Sequence, residues 1–357
     1  MIFWTHTFLM GCTDSPTQFQ VIDIDSAVED YAILEREIPS LSNPQRMEGT
    51  LGNLYVGGTI GIDLASSELS YQKGRALQVD FQTKNDTAYP LDRDGLIAFS
   101  YYAHLEDTVA LLDTSEHNLD DILPMHSAVS PLIADLTLSF LPMENAAYVP
   151  TVHHFILLTD AIPKGVPLAA NKGVVGHEFG HALFHYLTTG GTTTPRLLDV
   201  DAEGQDSVYS LDEGLADVLG YLVTNRPNFI ADSLPEQDRA LDSEHLASDV
   251  SPLPGDEMDE GLLSLYDPYP LGSVFAATVW EVDSQHDDRT RMLNWLLDTT
   301  KEFGRQISSG ERPDSVDLGM QWLDIWVDGA TESEKIWACQ AIASRWDGVY
   351  EVASCTE

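Results

Sequence analysis

The chain has 357 residues and carries 18 Lys+Arg against 58 Asp+Glu, a formal net charge of −40 with a pI near 4.2. A polyanion is repelled by such a chain, which excludes nucleic acid as a partner. A hydrophobic fraction of 43% with 7 Trp, 13 Tyr and 12 Phe excludes general disorder, and the length suggests two domains or one large bilobed one.

Residues 1–12, MIFWTHTFLMGC, are apolar and end in Leu9-Met10-Gly11-Cys12. That tetrad looks like the lipobox of a bacterial lipoprotein signal, which implies membrane attachment through a lipidated Cys12 and an extracytoplasmic location, as an envelope lipoprotein or a secreted protein. No Lys or Arg precedes the run and it is short for a signal, so an ordinary apolar N-terminus is the other reading. No later stretch is apolar over the roughly 18 residues needed to span a bilayer.

Residues 13–90 read as a β-rich region, since 49–64 and 76–83 carry alternating and β-branched residues punctuated by Gly. Helical spacing begins at 96–112. A short apolar run at 152–159 suits a buried or edge strand. Helices are expected at about 172–187 and 210–223, with a Thr/Gly/Asp-rich loop at 188–207 between them. The stretch 227–270 is long and Pro-punctuated; its segment 231–260 holds ten Asp/Glu against Arg239 alone. Helices at 273–282, 290–303, 316–327 and 332–343 complete the series. Strands first and helices last argue for an α+β fold and against alternating βαβ units.

Cys339 and Cys355 stand one helix-and-turn length apart. They either pair as a disulfide in an oxidising compartment or remain two buried thiols. Only six of the 18 basic residues are Lys. High Asp/Glu with scarce Lys fits either salty surroundings, where surface charge is screened and aids solubility, or an acidic secreted protein.

The segment GVVGHEFGHALFHYL contains His177-Glu178-x-x-His181. On a helix, positions i and i+4 share a face, so both imidazoles can approach one ion while Glu178, about 100° round the axis, reaches a water on it. That is the pattern of a zinc hydrolase with two His ligands and a Glu base. Two His do not complete a catalytic zinc site. Position 187, where a third His would close a metzincin site, is Leu, and His185 lies too far along the axis. The next helix offers Glu213 and Asp217 at i,i+4 on an otherwise apolar face, where carboxylates are costly to bury unless they bind something. Glu213 as third ligand and Asp217 as acceptor for a ligand ring N–H account for both. Asp199, Asp201, Glu203 and Asp206 alternate as oxygen donors around Gly204, the pattern of either a calcium loop or a solvated acidic loop; Ser210 at the twelfth position excludes an EF-hand.

HEFGH followed by DEGLAD resembles the gluzincin metallopeptidases, the thermolysin and fungalysin type, over roughly residues 95–300. The resemblance implies a zincin-like bilobed fold: a β-rich region at 13–90, an upper catalytic lobe at 91–190 with an edge strand at 152–159 and the HExxH helix, and a helical lobe at 191–357 supplying the third ligand. It implies zinc held by His177, His181 and Glu213, Glu178 as base, Asp217 orienting a ligand His, and a peptide or protein substrate. Asp212 stands where the family usually has Asn, and the 31 residues between His181 and Glu213 exceed its common spacing. Thermolysin-like enzymes bring an oxyanion-binding His from a later segment. Here that segment, Tyr266 to Gly272, has none, and Tyr269 is the candidate, as in gluzincin aminopeptidases, against a purely packing role. His245 and His286 are weaker candidates, and His153 and His154 read as strand residues. The expected function is zinc-dependent endopeptidase; the alternative is a surface lipoprotein that keeps the fold as a binding or structural module.

Overall fold

A computed structural model describes residues 16–63, 68–118, 121–129, 132–134, 145–150, 153–158, 165–190, 202–254, 266–286, 288–309, 317–346 and 348–356. The described elements confirm α+β: strands dominate the first half and helices the second.

A four-stranded sheet comes first, in the order β2 (Asp30–Glu37), β1 (Gln18–Asp25), β8 (Thr87–Pro90), β7 (Phe81–Lys84). The alternation in β1 puts Phe19, Val21 and Asp23 inward, and Phe19 meets Phe99 of α1 (Arg93–Leu112) edge-on at 5.1 Å. A five-stranded sheet has the order β11 (Asn145–Val149), β12 (His154–Leu158), β9 (His126–Val129), β3 (Leu54–Val56), β6 (Arg75–Ala76). A third, of β10 (Leu132–Ala134), β4 (Thr59–Asp63) and β5 (Glu68–Gln72), completes the strand region. The strand expected to be the sheet edge, 152–159, is interior. Phe155, Ile156 and Leu157 are buried because β12 pairs on both sides, antiparallel to β11 and parallel to β9. The edge is β11.

The second half is built from α2 (Lys172–Thr189), α3 (Ala202–Thr224), α4 (Tyr269–Asp283), α5 (Arg289–Ser309), α6 (Leu318–Asp328) and α7 (Glu332–Arg345). Asn171 caps α2 by accepting from the backbone N–H of Gly173 and Val174, and Gly190 ends it in the left-handed conformation at φ 68°. Helix α3 begins eight residues before the expected start, so Glu203 and Asp206 lie on its first two turns and not in a loop. α2 and α3 pack closely because the interface is lined with small residues: a Cβ on Gly180 would stand 2.6 Å from Ala216 Cα. Behind them, Trp295, Trp322 and Trp326 stack in series at 4.7 and 5.9 Å in a core shared by α5 and α6. Cys339 of α7 is bonded to Cys355, settling that alternative in favour of the disulfide.

The strand region is fastened to the start of α2. Tyr31 of β2 donates to Asn171 Oδ1 at 3.0 Å and accepts from the Lys172 backbone N–H at 2.9 Å. Beneath it, Arg36 binds Asp107 and Asp23, and Lys172 Nζ lies 2.7 Å from Asp107. His104, fully buried, donates Nε2–H to Ala170 O at 3.1 Å.

Candidate metal centre

Helical spacing places His177 and His181 one turn apart on the face of α2 turned towards α3. Their Nε2 atoms are 3.1 Å apart. Glu213 Oε2 lies 3.6 Å from His177 Nε2, and its Oε1 3.8 Å from His181 Nε2. The three residues bring ligand atoms within 4.8 Å of one another, a grouping with the composition expected of a zinc site.

Each ring is held from behind by a carboxylate. Asp217 Oδ1 is 2.9 Å from His177 Nδ1, and Asp212 Oδ1 is 2.8 Å from His181 Nδ1. A carboxylate only accepts, so each Nδ1 carries its hydrogen and each Nε2 turns towards the partner ring. Burial, then the Arg239 charge, drives the His177 imidazole down to about 3. At His181 burial acts in the same sense, but Asp212 and Glu213 outweigh it and push the imidazole up to about 10. Burial lifts Glu213 to about 7. The arrangement calls for one positive charge between the two Nε2 atoms. A proton on His181 meets that demand, and a divalent ion that favours imidazole and carboxylate meets it with the same donors. The residues therefore fit zinc.

Glu178, buried at 7% exposure, lines the cavity formed with these groups. Burial pushes its carboxyl up, and the Tyr148 backbone N–H opposes the shift. The cavity encloses about 350 Å³. Its walls are Ala146, Ala147, Tyr148 and Pro150 at the β11 edge, the face of α2 that carries His177 and His181, the start of α3, and Tyr269. Tyr269, the first residue of α4, is 45% exposed; burial of its hydroxyl and the nearby Glu213 push the phenol up to about 12, so it remains an O–H donor.

Two residues of the centre escaped the sequence reading. Asp212 was noted only as a departure from Asn. Arg239 is buried, donates Nε–H to Asp217 Oδ2 at 3.0 Å and Nη2–H to Glu213 Oε2 at 3.1 Å, contacts Asp217 Oδ1, and lies over the Tyr269 ring at 4.6 Å. Burial works against its charge, yet Asp217 and Glu213 hold it protonated, and Arg239 in turn keeps Asp217 ionised. The sequence signal was its isolation as the lone cation of 231–260.

Among the described residues, the other His candidates are not grouped with His177, His181 and Glu213. His245 donates to Ala240 O at 2.9 Å, and His286 binds Glu334 at 3.0 Å. His153 lies in the turn before β12 at φ 50°, donating Nε2–H to Ile122 O at 2.8 Å and accepting from the Tyr148 hydroxyl at 3.0 Å. His154 opens β12, its ring 5.5 Å from His126. His185 lines the cavity one turn beyond His181. Asp199, Asp201 and Cys12 lie outside the described residues.

No protein-family model matches the chain, and no curated protein matches it in sequence. Among solved structures, the precursor of protealysin, a metalloproteinase from Serratia proteamaculans, is similar: the TM-score is 0.50 at 12% identity, over 85% of this chain and 88% of that one. The two share a fold, the thermolysin-like metalloproteinase fold.

Proposed function

We propose that the chain is a zinc-dependent endopeptidase, held to one ion by His177, His181 and Glu213. The observation that carries this is the convergence of the three ligands beside a buried Glu178, in a cleft bordered by a free strand edge among the described residues. An extended peptide can add to β11 through backbone hydrogen bonds, which needs no particular side chains.

Bound zinc supplies Lewis acidity, lowering the pKa of a coordinated water towards about 7. Glu178, lining the same cavity, would accept a proton from the attacking water and return it to the leaving nitrogen. Its raised affinity for protons suits this shuttle. The Tyr269 hydroxyl donates to the developing oxyanion. Asp217 and Asp212 hold the His rings in orientation, and Arg239 keeps Asp217 ionised.

The test is hydrolysis of denatured casein by wild type and by Glu178→Gln, with zinc measured in both. We expect one zinc per chain in each and loss of cleavage by at least 100-fold in the variant, in line with removal of a positioned base. Zinc at one per chain without cleavage by wild type would leave a metal-holding binding module. Absence of zinc would overturn both readings.

The disulfide supports an oxidising compartment, and no described helix is long and apolar enough to cross a membrane. Attachment through Cys12 rests on the lipobox-like tetrad alone, and its check is fatty-acid labelling of wild type against Cys12→Ser.

A further inference from the structure

The two carboxylates that back the ligand rings are not equivalent. Asp217 is engaged twice: it accepts from His177 Nδ1 at 2.9 Å, and it binds the Arg239 guanidinium through Oδ2 at 3.0 Å and again through Oδ1, with 1% of its surface exposed. The guanidinium matches its charge one for one. Asp212 accepts from His181 Nδ1 at 2.8 Å, and among the described residues no Lys or Arg pairs with it. Helix geometry explains the difference. Glu213 and Asp217 stand at i,i+4 on one face of α3, within reach of the same guanidinium, whereas Asp212 leaves the helix about 100° round from Glu213 and lies in the cavity wall.

Charge can therefore be balanced across the centre. Asp212, Glu213 and Asp217 are three carboxylates against the one guanidinium of Arg239, which leaves two negative charges, as many as a divalent ion neutralises. Glu178, which trades its charge for a proton in the proposed reaction, stands outside this balance. Without the Asp212 charge, an ion in the centre is left with one positive charge unmatched. Orientation alone does not require that charge, because a neutral amide oxygen accepts from a ring N–H equally well. The same carboxylate also favours a proton on His181, which competes with the ion for Nε2. A divalent ion brings two charges where a proton brings one, so at similar distance the carboxylate favours the ion.

We propose that Asp212 is a positioning residue whose negative charge, beyond its hold on the His181 ring, retains zinc in the centre. This rests on the zinc part of the reading above and not on peptide hydrolysis. It divides the labour between the two carboxylates: Asp217 shares its charge with Arg239 and holds the fold together there, and Asp212 spends its charge on the ion.

The experiment strips the full chain of metal and measures zinc affinity by competition with a chromophoric chelator at one fixed pH, for wild type, Asp212→Asn, Asp212→Ala and Asp212→Glu. Asn keeps the acceptor and removes the charge, Ala removes both, and Glu keeps the charge on a longer arm. We expect Asp212→Asn to bind zinc about 10- to 100-fold more weakly than wild type. Asp212→Ala should be at least as weak, and Asp212→Glu should recover part of the loss. Wild-type affinity in Asp212→Asn beside a weakened Asp212→Ala reduces the residue to a hydrogen-bond acceptor and overturns the proposal, as does wild-type affinity in both. Near-ultraviolet circular dichroism checks the fold of each variant; should Asp212→Asn not fold, Asp212→Glu against Asp212→Ala decides, and equal weakness in the two overturns the proposal. No substrate enters the measurement. A wild type that binds zinc and cleaves nothing therefore loses the peptidase reading and leaves this one standing, whereas a wild type that binds no zinc loses both.

Discussion

At the scale of single residues, the centre depends on charges that satisfy one another in a small buried volume. Arg239 is the clearest case, because Asp217 at 1% exposure has no water to replace it. Removing one member of a buried pair costs more than the pair is worth, about 3–5 kcal/mol, since the other charge is stranded. Arg239→Met should therefore lower the free energy of unfolding by about that amount. Adding Asp217→Asn should return part of it; a double variant no better than the single would mean that the guanidinium acts by packing. His104 gives a pH prediction. Complete burial holds its imidazole down to about 4, against an ordinary 6.5, with Lys172 acting in the same sense and Asp23 and Asp107 opposing. Between those values the unfolded chain binds a proton that the folded chain refuses. This contribution is thus fully present above about 6.5 and lost progressively as the pH falls towards 4. His104→Gln, which keeps a donor for Ala170 O, should flatten the slope of unfolding free energy against pH in that window, and an unchanged slope would assign the acid sensitivity elsewhere. The grouping of His177, His181 and Glu213 beside Glu178 was legible because helical periodicity is local. Arg239 was not, because it arrives from a segment without periodicity, 22 residues after Asp217.

At the scale of elements, most helices fell where spacing put them; the start of α3 and the sheet edge did not. The first turns of α3 look like loop because Asp, Gly and Ser there favour turns in isolation, yet packing of the following apolar face extends the helix backwards. The residues at 152–159 suited either a buried or an edge strand, and the resemblance chose the edge. Their Phe155-Ile156-Leu157 run is what a doubly paired strand carries, and only pairing order shows that β11 lies outside it. The approach of α2 to α3 sets the distance from the His pair to Glu213. Gly180→Ala forces a Cβ into the Ala216 backbone, so the helices must part. We expect a loss of about 1–3 kcal/mol in stability, together with a fall in zinc affinity measured by chelator competition. Weaker folding with unchanged zinc affinity would show that the ligands do not depend on this spacing.

At the scale of the whole molecule, the excess of acid first excluded a class of partner. The fold adds where part of it stands: four carboxylates line the cavity beyond Tyr269, flanking the cleft. Surface charge of this kind acts through space and is screened over about 8–10 Å at moderate salt. Peptides rich in Lys and Arg should be cleaved faster than Asp- and Glu-rich ones at low ionic strength, with the ratio shrinking as salt rises. Equal rates at low salt would confine the effect of the charge to solubility. The bond between Cys339 and Cys355 bears on another matter, survival among copies of itself. An enzyme that accepts extended chain is a hazard to its own loose segments, and the 16-residue span closed by this bond ties Cys355 back onto α7. Such a loop cannot be drawn out straight along a strand edge. Mild reduction should do more than remove the roughly 3 kcal/mol that a closed loop of this length contributes: it should release new self-cleavage products from that region, visible as discrete mass losses in wild type and absent in Glu178→Gln.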